Sequence, residues 1–169
     1  MKNILFLEVS LQTLRVKTLK EFPTRLKKAV DIIANNIITE NVVFHYNPAS
    51  KTLLALVRVI GSEPNPYITT MLFDKIKEDD IEGTPIISGK KDFNIEKVND
   101  TNNCKVRCTC KDFMWTFNYY NKKEKSLRGS VREPYTKKSS RPPRNPGKVP
   151  GLCKHLLALY IKLEHIGLV

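Results

Sequence analysis

Apolar residues first cluster at Ile4-Leu5-Phe6-Leu7 with Val9, and residues 3–10 read as a β-strand. From residue 23 the period changes. Leu26, Ala29, Val30, Ile33 and Ile37 recur at helical spacing, Pro23 suits a first turn, and a helix is predicted over 23–38. Two strands are then predicted, 41–46 and 52–60. The connector Asn47-Pro48-Ala49-Ser50 carries turn chemistry, which makes the pair a hairpin. After the breaker Pro64-Asn65-Pro66, the run Tyr67–Phe73 reads as another strand. Residues 75–83 are charged and read as a loop, with short strands around Ile86-Ile87 and over 93–98. No internal repeat is found.

The segment Cys104-Lys105-Val106-Arg107-Cys108-Thr109-Cys110 alternates strictly, with Cys104, Val106, Cys108 and Cys110 on one face of a strand. An aromatic run follows: Phe113, Trp115, Phe117, Tyr119 and Tyr120. Strand alternation groups the first four, whereas helical spacing groups Phe113, Phe117 and Tyr120. One reading of this run is a platform for stacked bases. The favoured reading is core filling beneath the site described below. Residues 122–150 contain five prolines, so no long helix or central strand fits there and an extended loop is expected. The chain closes on a helix over 152–166, with Leu156, Leu157, Tyr160, Ile161 and Leu163 as its apolar face and Gly167 past its end. The fold class is α+β: an antiparallel sheet with one N-terminal helix, and a stapled strand–long loop–helix module at the C-terminus. The expected division is an N-terminal domain over 1–100 and a module over 101–169.

Length and composition fit this picture. A chain of 169 residues with 41% hydrophobic content can bury a core without staples. No apolar run approaches the ~20 residues of a membrane span, so no membrane partner is expected. Glu8 ends the first apolar run too early for a secretory signal, and a cytosolic product with reduced cysteines is expected. Four cysteines in that setting favour metal or catalysis over disulfides. The net charge of +12 is unevenly placed. Residues 105–155 hold 14 Lys+Arg against 3 Asp+Glu, whereas residues 1–104 hold 14 against 13. Such a block implies a polyanionic partner: nucleic acid or an acidic protein surface. The candidate contacts are Lys122, Lys123, Lys125, Arg128, Arg132, Lys137, Lys138, Arg141, Arg144 and Lys148.

Zinc takes four nitrogen or sulfur ligands in a tetrahedron. Cys108 and Cys110 lie two apart on one strand face, and Cys153 and His155 stand at the start of the last helix, whose positive end favours a thiolate. These four form a closed structural site with no position for a reacting water. The bland alternative is small buried cysteines with an incidental histidine. Two close pairs, each with a two-residue step, favour the metal. Cys104 shares the strand face and could compete, but packing as a small apolar residue suits it better. His45 and His165 are expected in structural or solvent roles.

The arrangement Cys108-x-Cys110 … Cys153-x-His155 resembles the SWIM zinc finger, and Leu156-Leu157-Ala158-Leu159 resembles the apolar helix after that family's histidine. The 42 residues between the pairs (111–152) depart from the family's shorter spacer. The text from Arg141 to Leu156, Arg-Pro-Pro-Arg-Asn-Pro-Gly-Lys-Val-Pro-Gly-Leu-Cys-Lys-His-Leu, is similar to small virion-associated proteins of tailed bacteriophages, as is Cys108–Tyr120. The resemblance spans roughly residues 104–165. It implies a virion protein made in the host cytoplasm, in an oligomeric assembly with other virion proteins, for instance at the head–tail junction. The rival expectation is an intracellular nucleic-acid-binding zinc-finger protein. No enzyme is expected: Asp79 and Asp80 have no partner histidine in sequence context, and neither a phosphate-binding glycine motif nor a nucleophile–base pair is recognisable.

Overall fold

The computed structural model describes residues 9–35, 42–61, 63–133 and 140–169. Two helices open the described chain, α1 (Leu11–Glu21) and α2 (Thr24–Ala34). Strands β1 (Val43–Asn47), β2 (Thr52–Val59), β3 (Tyr67–Phe73), β4 (Thr84–Ser88), β5 (Lys91–Ile95) and β6 (Cys104–Cys108) follow. The short helices α3 (Lys111–Thr116) and α4 (Asn118–Lys123) and the final helix α5 (Lys154–His165) complete the order. The six strands form one sheet in the order β5-β4-β1-β2-β3-β6. Its pairings are antiparallel except for β1 with β4, which run parallel at Phe44 and Ser88. The α+β class stands.

Local chemistry explains most boundaries. Asn47 closes the β1–β2 hairpin, its Oδ1 accepting the amides of Ala49 at 3.0 Å and Ser50 at 3.2 Å. In β2, Leu53, Ala55, Val57 and Val59 are fully buried while Arg58 is exposed, the signature of a sheet with one covered face. Ser10 caps α1, accepting the Thr13 amide, and its hydroxyl donates to Asp100 Oδ1 at 2.7 Å. Gly167 ends α5 at φ +82°, and the Leu168 amide returns to the Leu163 carbonyl. No described helix is long and apolar enough to cross a membrane.

Several expectations change. The pattern shows one N-terminal helix and the structure has two. In α1 the buried stripe is Leu11, Leu14 and Thr18, and its polar third member hides the helix from a hydrophobic count. The face of α2 is also rotated. Ala29 and Ile32 are buried, while Leu26 and Val30 are 36% and 49% exposed. Most of the strand expected over 3–10 lies outside the described residues, as does the end of the helix expected to reach residue 38. The Cys104 amide donates to the Val9 carbonyl, and Ser10 bridges Asn103. The aromatic run is helical. It is capped by Cys110, and its buried members are Phe113 and Phe117. That bears out core filling for those two rings.

One buried cluster runs from Leu14 and Ala29 through the sheet to Leu156 and Leu163. The helix α5 packs on α2, β3 and β6. It is buried on nearly every side, from His155 to Tyr160. Thus β6, the strand that carries the first cysteines, is hydrogen-bonded along its length to β3 of the N-terminal sheet.

Candidate metal centre

Cys108, Cys110, Cys153 and His155 converge. Their ligand atoms all lie within 4.8 Å of one another, and all four residues are buried. They come from two segments, each leading into a helix. Cys108 ends β6 opposite Thr69. Two residues on, Cys110 keeps extended backbone (φ −70°, ψ 149°) and caps α3, its sulfur accepting the Phe113 amide at 3.3 Å. Cys153 occupies the corresponding place before α5 (φ −73°, ψ 170°), and His155 lies in the first turn of that helix. The sequence therefore places two sulfurs at helix N-caps: the Cys110 sulfur accepts a backbone amide there, whereas Cys153 makes no such bond.

The donor set fits a zinc ion. With Zn–S bonds of about 2.3 Å, tetrahedral ligand atoms stand roughly 3.8 Å apart. The Cys108 sulfur and His155 Nδ1 are already 3.7 Å apart. Hydrogen bonds to sulfur hold the rest of the frame: the Cys110 amide donates to Cys108 Sγ at 3.5 Å, and Thr69 Oγ1 lies 3.6 Å from the same atom. The Tyr67 ring packs on the His155 imidazole, with centroids 4.8 Å apart and planes tilted by 32°. Tyr67 in turn packs so closely on Gly61 that a Cβ there would overlap the ring and force it to shift.

The three thiols are not electrostatically equal. Burial raises Cys108 and Cys153 above the ordinary thiol value. Cys110 is pulled well below it, first by hydrogen bonds from the Cys108 and Cys153 thiols. Cys104 does not join them. It lies four strand residues from Cys108, about 13 Å along β6, is 1% exposed, and is raised by burial and by the charge of Asp74. It packs as a small apolar residue, as expected. His45 and His165 are exposed and stand outside the cluster.

The segment between the ligand pairs is tied down at several points. Leu127 bridges Val106 in parallel, with the Val106 amide donating to Ser126 and the Arg128 amide to Val106. Arg107 Nη1 donates to the carbonyls of Arg128 and Ser130 at 3.2 and 3.1 Å. Buried Asn121 holds Gly151 from both sides. Its Nδ2 donates to the Gly151 carbonyl at 2.9 Å, and its Oδ1 accepts the Gly151 amide at 2.8 Å. Asn145 donates to the carbonyls of Thr116 and Val149. Thr18 accepts the Leu152 amide at 2.8 Å, and a Cβ on Gly151 would overlap Thr18 and Phe117. Arg25, gripped by Asp112 in a bidentate pair, sits between the Phe22 and Phe117 rings. None of these supports is visible in the sequence pattern, because single polar residues at long separation leave no period.

Of the basic residues, Lys122, Lys123, Lys125, Arg132, Arg141, Arg144 and Lys148 are exposed and Arg128 is half-buried. Lys137 and Lys138 lie outside the described residues. Arg132 lies over the Trp115 ring at 5.9 Å and Lys123 over the Tyr119 ring at 5.8 Å. The chain matches no family model, no curated protein and no solved structure.

Proposed function

We propose that the protein is a non-enzymatic structural protein of a tailed phage particle, held together by one structural zinc ion and meeting neighbouring subunits through its basic segment. The observation that carries the structural role is the complete burial of three sulfurs and one imidazole around one point, with exposures of 0–3%. Four protein donors fill a tetrahedral ion, which leaves no coordination position for substrate and gives the metal a folding role. The particle assignment is supported by the likeness of residues 141–156 to small virion proteins. A solvent-facing basic segment fixed at both ends suits a surface that other subunits cover. Purified chain should contain about one zinc ion, and Cys153→Ser should lose the metal and much of the stability. Mass spectrometry of intact particles should detect the chain. Its absence from particles would remove the assembly role, and a folded chain without metal would remove the zinc.

A second reading, an intracellular nucleic-acid-binding protein, is favoured by one feature. Trp115 is 38% exposed beneath the Arg132 guanidinium instead of joining Phe113 and Phe117 in the core. Affinity for DNA or RNA that falls steeply with salt is the expected mark of that reading.

A further inference from the structure

Thr69 lies on the covered face of β3, in one row with Met71 and Phe73, and all three are fully buried. A hydroxyl in such a row costs free energy unless it is hydrogen-bonded, and valine would fill nearly the same volume without that cost. Among the described residues, the hydrogen-bond partner of the Thr69 hydroxyl is the Cys108 sulfur, 3.6 Å away across the β3–β6 pairing. The two residues before Thr69 reach the same site. The Ile68 amide donates to Thr109 Oγ1 at 2.9 Å, and the Ile68 carbonyl accepts the Thr109 amide at 3.1 Å. Thr109 is the residue between Cys108 and Cys110. Tyr67 packs its ring on the His155 imidazole. Three consecutive residues of β3 therefore hold members of both ligand pairs.

We propose that Thr69 is a positioning residue of the metal centre: its hydroxyl donates to the Cys108 thiolate of the loaded site and sets how tightly the ion is held. The role rests on the zinc reading above and extends that site to a strand outside residues 101–169. A cysteine sulfur that coordinates a metal is deprotonated and has no hydrogen to give, so in the loaded chain the hydroxyl must be the donor. A hydrogen bond to an ionised acceptor is about twice as strong as one between neutral groups. The bond therefore strengthens when the metal enters, and a contact that is stronger in the loaded state adds to the affinity. The Cys108 sulfur also accepts the Cys110 amide at 3.5 Å, and the Cys110 sulfur accepts the Phe113 amide at 3.3 Å. Those donors belong to the backbone. Thr69 supplies a donor that a side-chain substitution can remove.

The full-length parent should be compared with Thr69→Val, which keeps the shape and removes the hydroxyl, and with Thr69→Ser, which keeps the hydroxyl and removes a buried methyl group. Zinc affinity is read by competition with a chromophoric chelator. Thr69→Val should bind zinc roughly 10- to 100-fold more weakly, and Thr69→Ser should lie closer to the parent. A role in packing alone gives the reverse order, because serine leaves a cavity that valine fills. Cobalt(II) in place of zinc supplies a second readout. Without the hydrogen bond the Cys108 sulfur is the better electron donor, so the sulfur-to-cobalt charge-transfer band should move to lower energy in Thr69→Val and stay in place in Thr69→Ser. Circular dichroism of the loaded variants should match the parent. Parental zinc affinity in Thr69→Val, an unshifted band in that variant, or weaker binding by Thr69→Ser than by Thr69→Val would overturn the role of Thr69 and leave the zinc site standing. A parent chain that takes up neither zinc nor cobalt would overturn both.

Discussion

At the scale of single residues, the four donors are unequal partners. Burial pushes Cys108 and Cys153 above the ordinary thiol value, while hydrogen bonds from their thiols pull Cys110 below it. A metal ion needs all three as thiolates, so binding must expel the protons of the two raised groups. The sign follows directly. Raising the pH removes the competing protons and tightens the metal, and acidification releases it. Near neutral pH about two protons should leave per ion, so affinity should rise about 100-fold per pH unit. Calorimetry in buffers of different ionisation enthalpy would measure the count, and a value near zero would mean that the sulfurs are already ionised before metal arrives. Thr18 offers a second test. Its buried hydroxyl donates to the Leu14 carbonyl and accepts the Leu152 amide, one residue before Cys153. Thr18→Val keeps the shape and strands that amide, which should cost about 1–3 kcal/mol by denaturant unfolding.

At the scale of elements, what the sequence shows depends on what each element buries. Tyr67–Phe73 is read with the same bounds the structure gives, because Pro66 precedes it and its β-branched and aromatic residues suit a covered strand. The final helix and the cysteine strand are equally plain, and with them all four candidate ligands, since the ligand spacing is local to each element. Helix α1 is not legible, because Thr18 occupies a stripe position where a hydrophobic residue is expected. The aromatic run is ambiguous for another reason. Bulky residues at 113, 115, 117 and 119 satisfy period two, and only the Cys110 cap and the buried Asn118 and Asn121 decide for helix. The long segment between the ligands looks unstructured in sequence, and yet Asn121 clamps it. Asn121→Ala removes two hydrogen bonds to Gly151 and leaves buried backbone groups without partners. A loss of roughly 2–4 kcal/mol is expected. An unchanged midpoint of thermal unfolding would show that water replaces the clamp.

At the scale of the whole molecule, the four-residue metal site connects parts that are far apart in sequence. Cys108 ends the edge strand of the six-stranded sheet and Cys110 follows it as the cap of α3, while Cys153 caps and His155 opens the helix packed on α2, β3 and β6. Metal binding to a Cys/His site of this kind contributes on the order of 10 kcal/mol, comparable to the net stability of a whole domain. A staple confined to a separable C-terminal unit would melt that unit alone. Here the buried cluster passes without a break from Leu14 and Ala29 through Val57 and Met71 to Leu156. Withdrawing the ion removes support from α5, and with α5 go the covers of β3 and β6. A strong chelator should therefore lower the stability of the entire chain. Heat unfolding followed by far-ultraviolet dichroism and by Trp115 fluorescence should show one coincident transition, moved to lower temperature. Two separated transitions, with only the later residues responding to chelation, would show instead that the zinc module is an independent unit resting against a self-sufficient N-terminal domain.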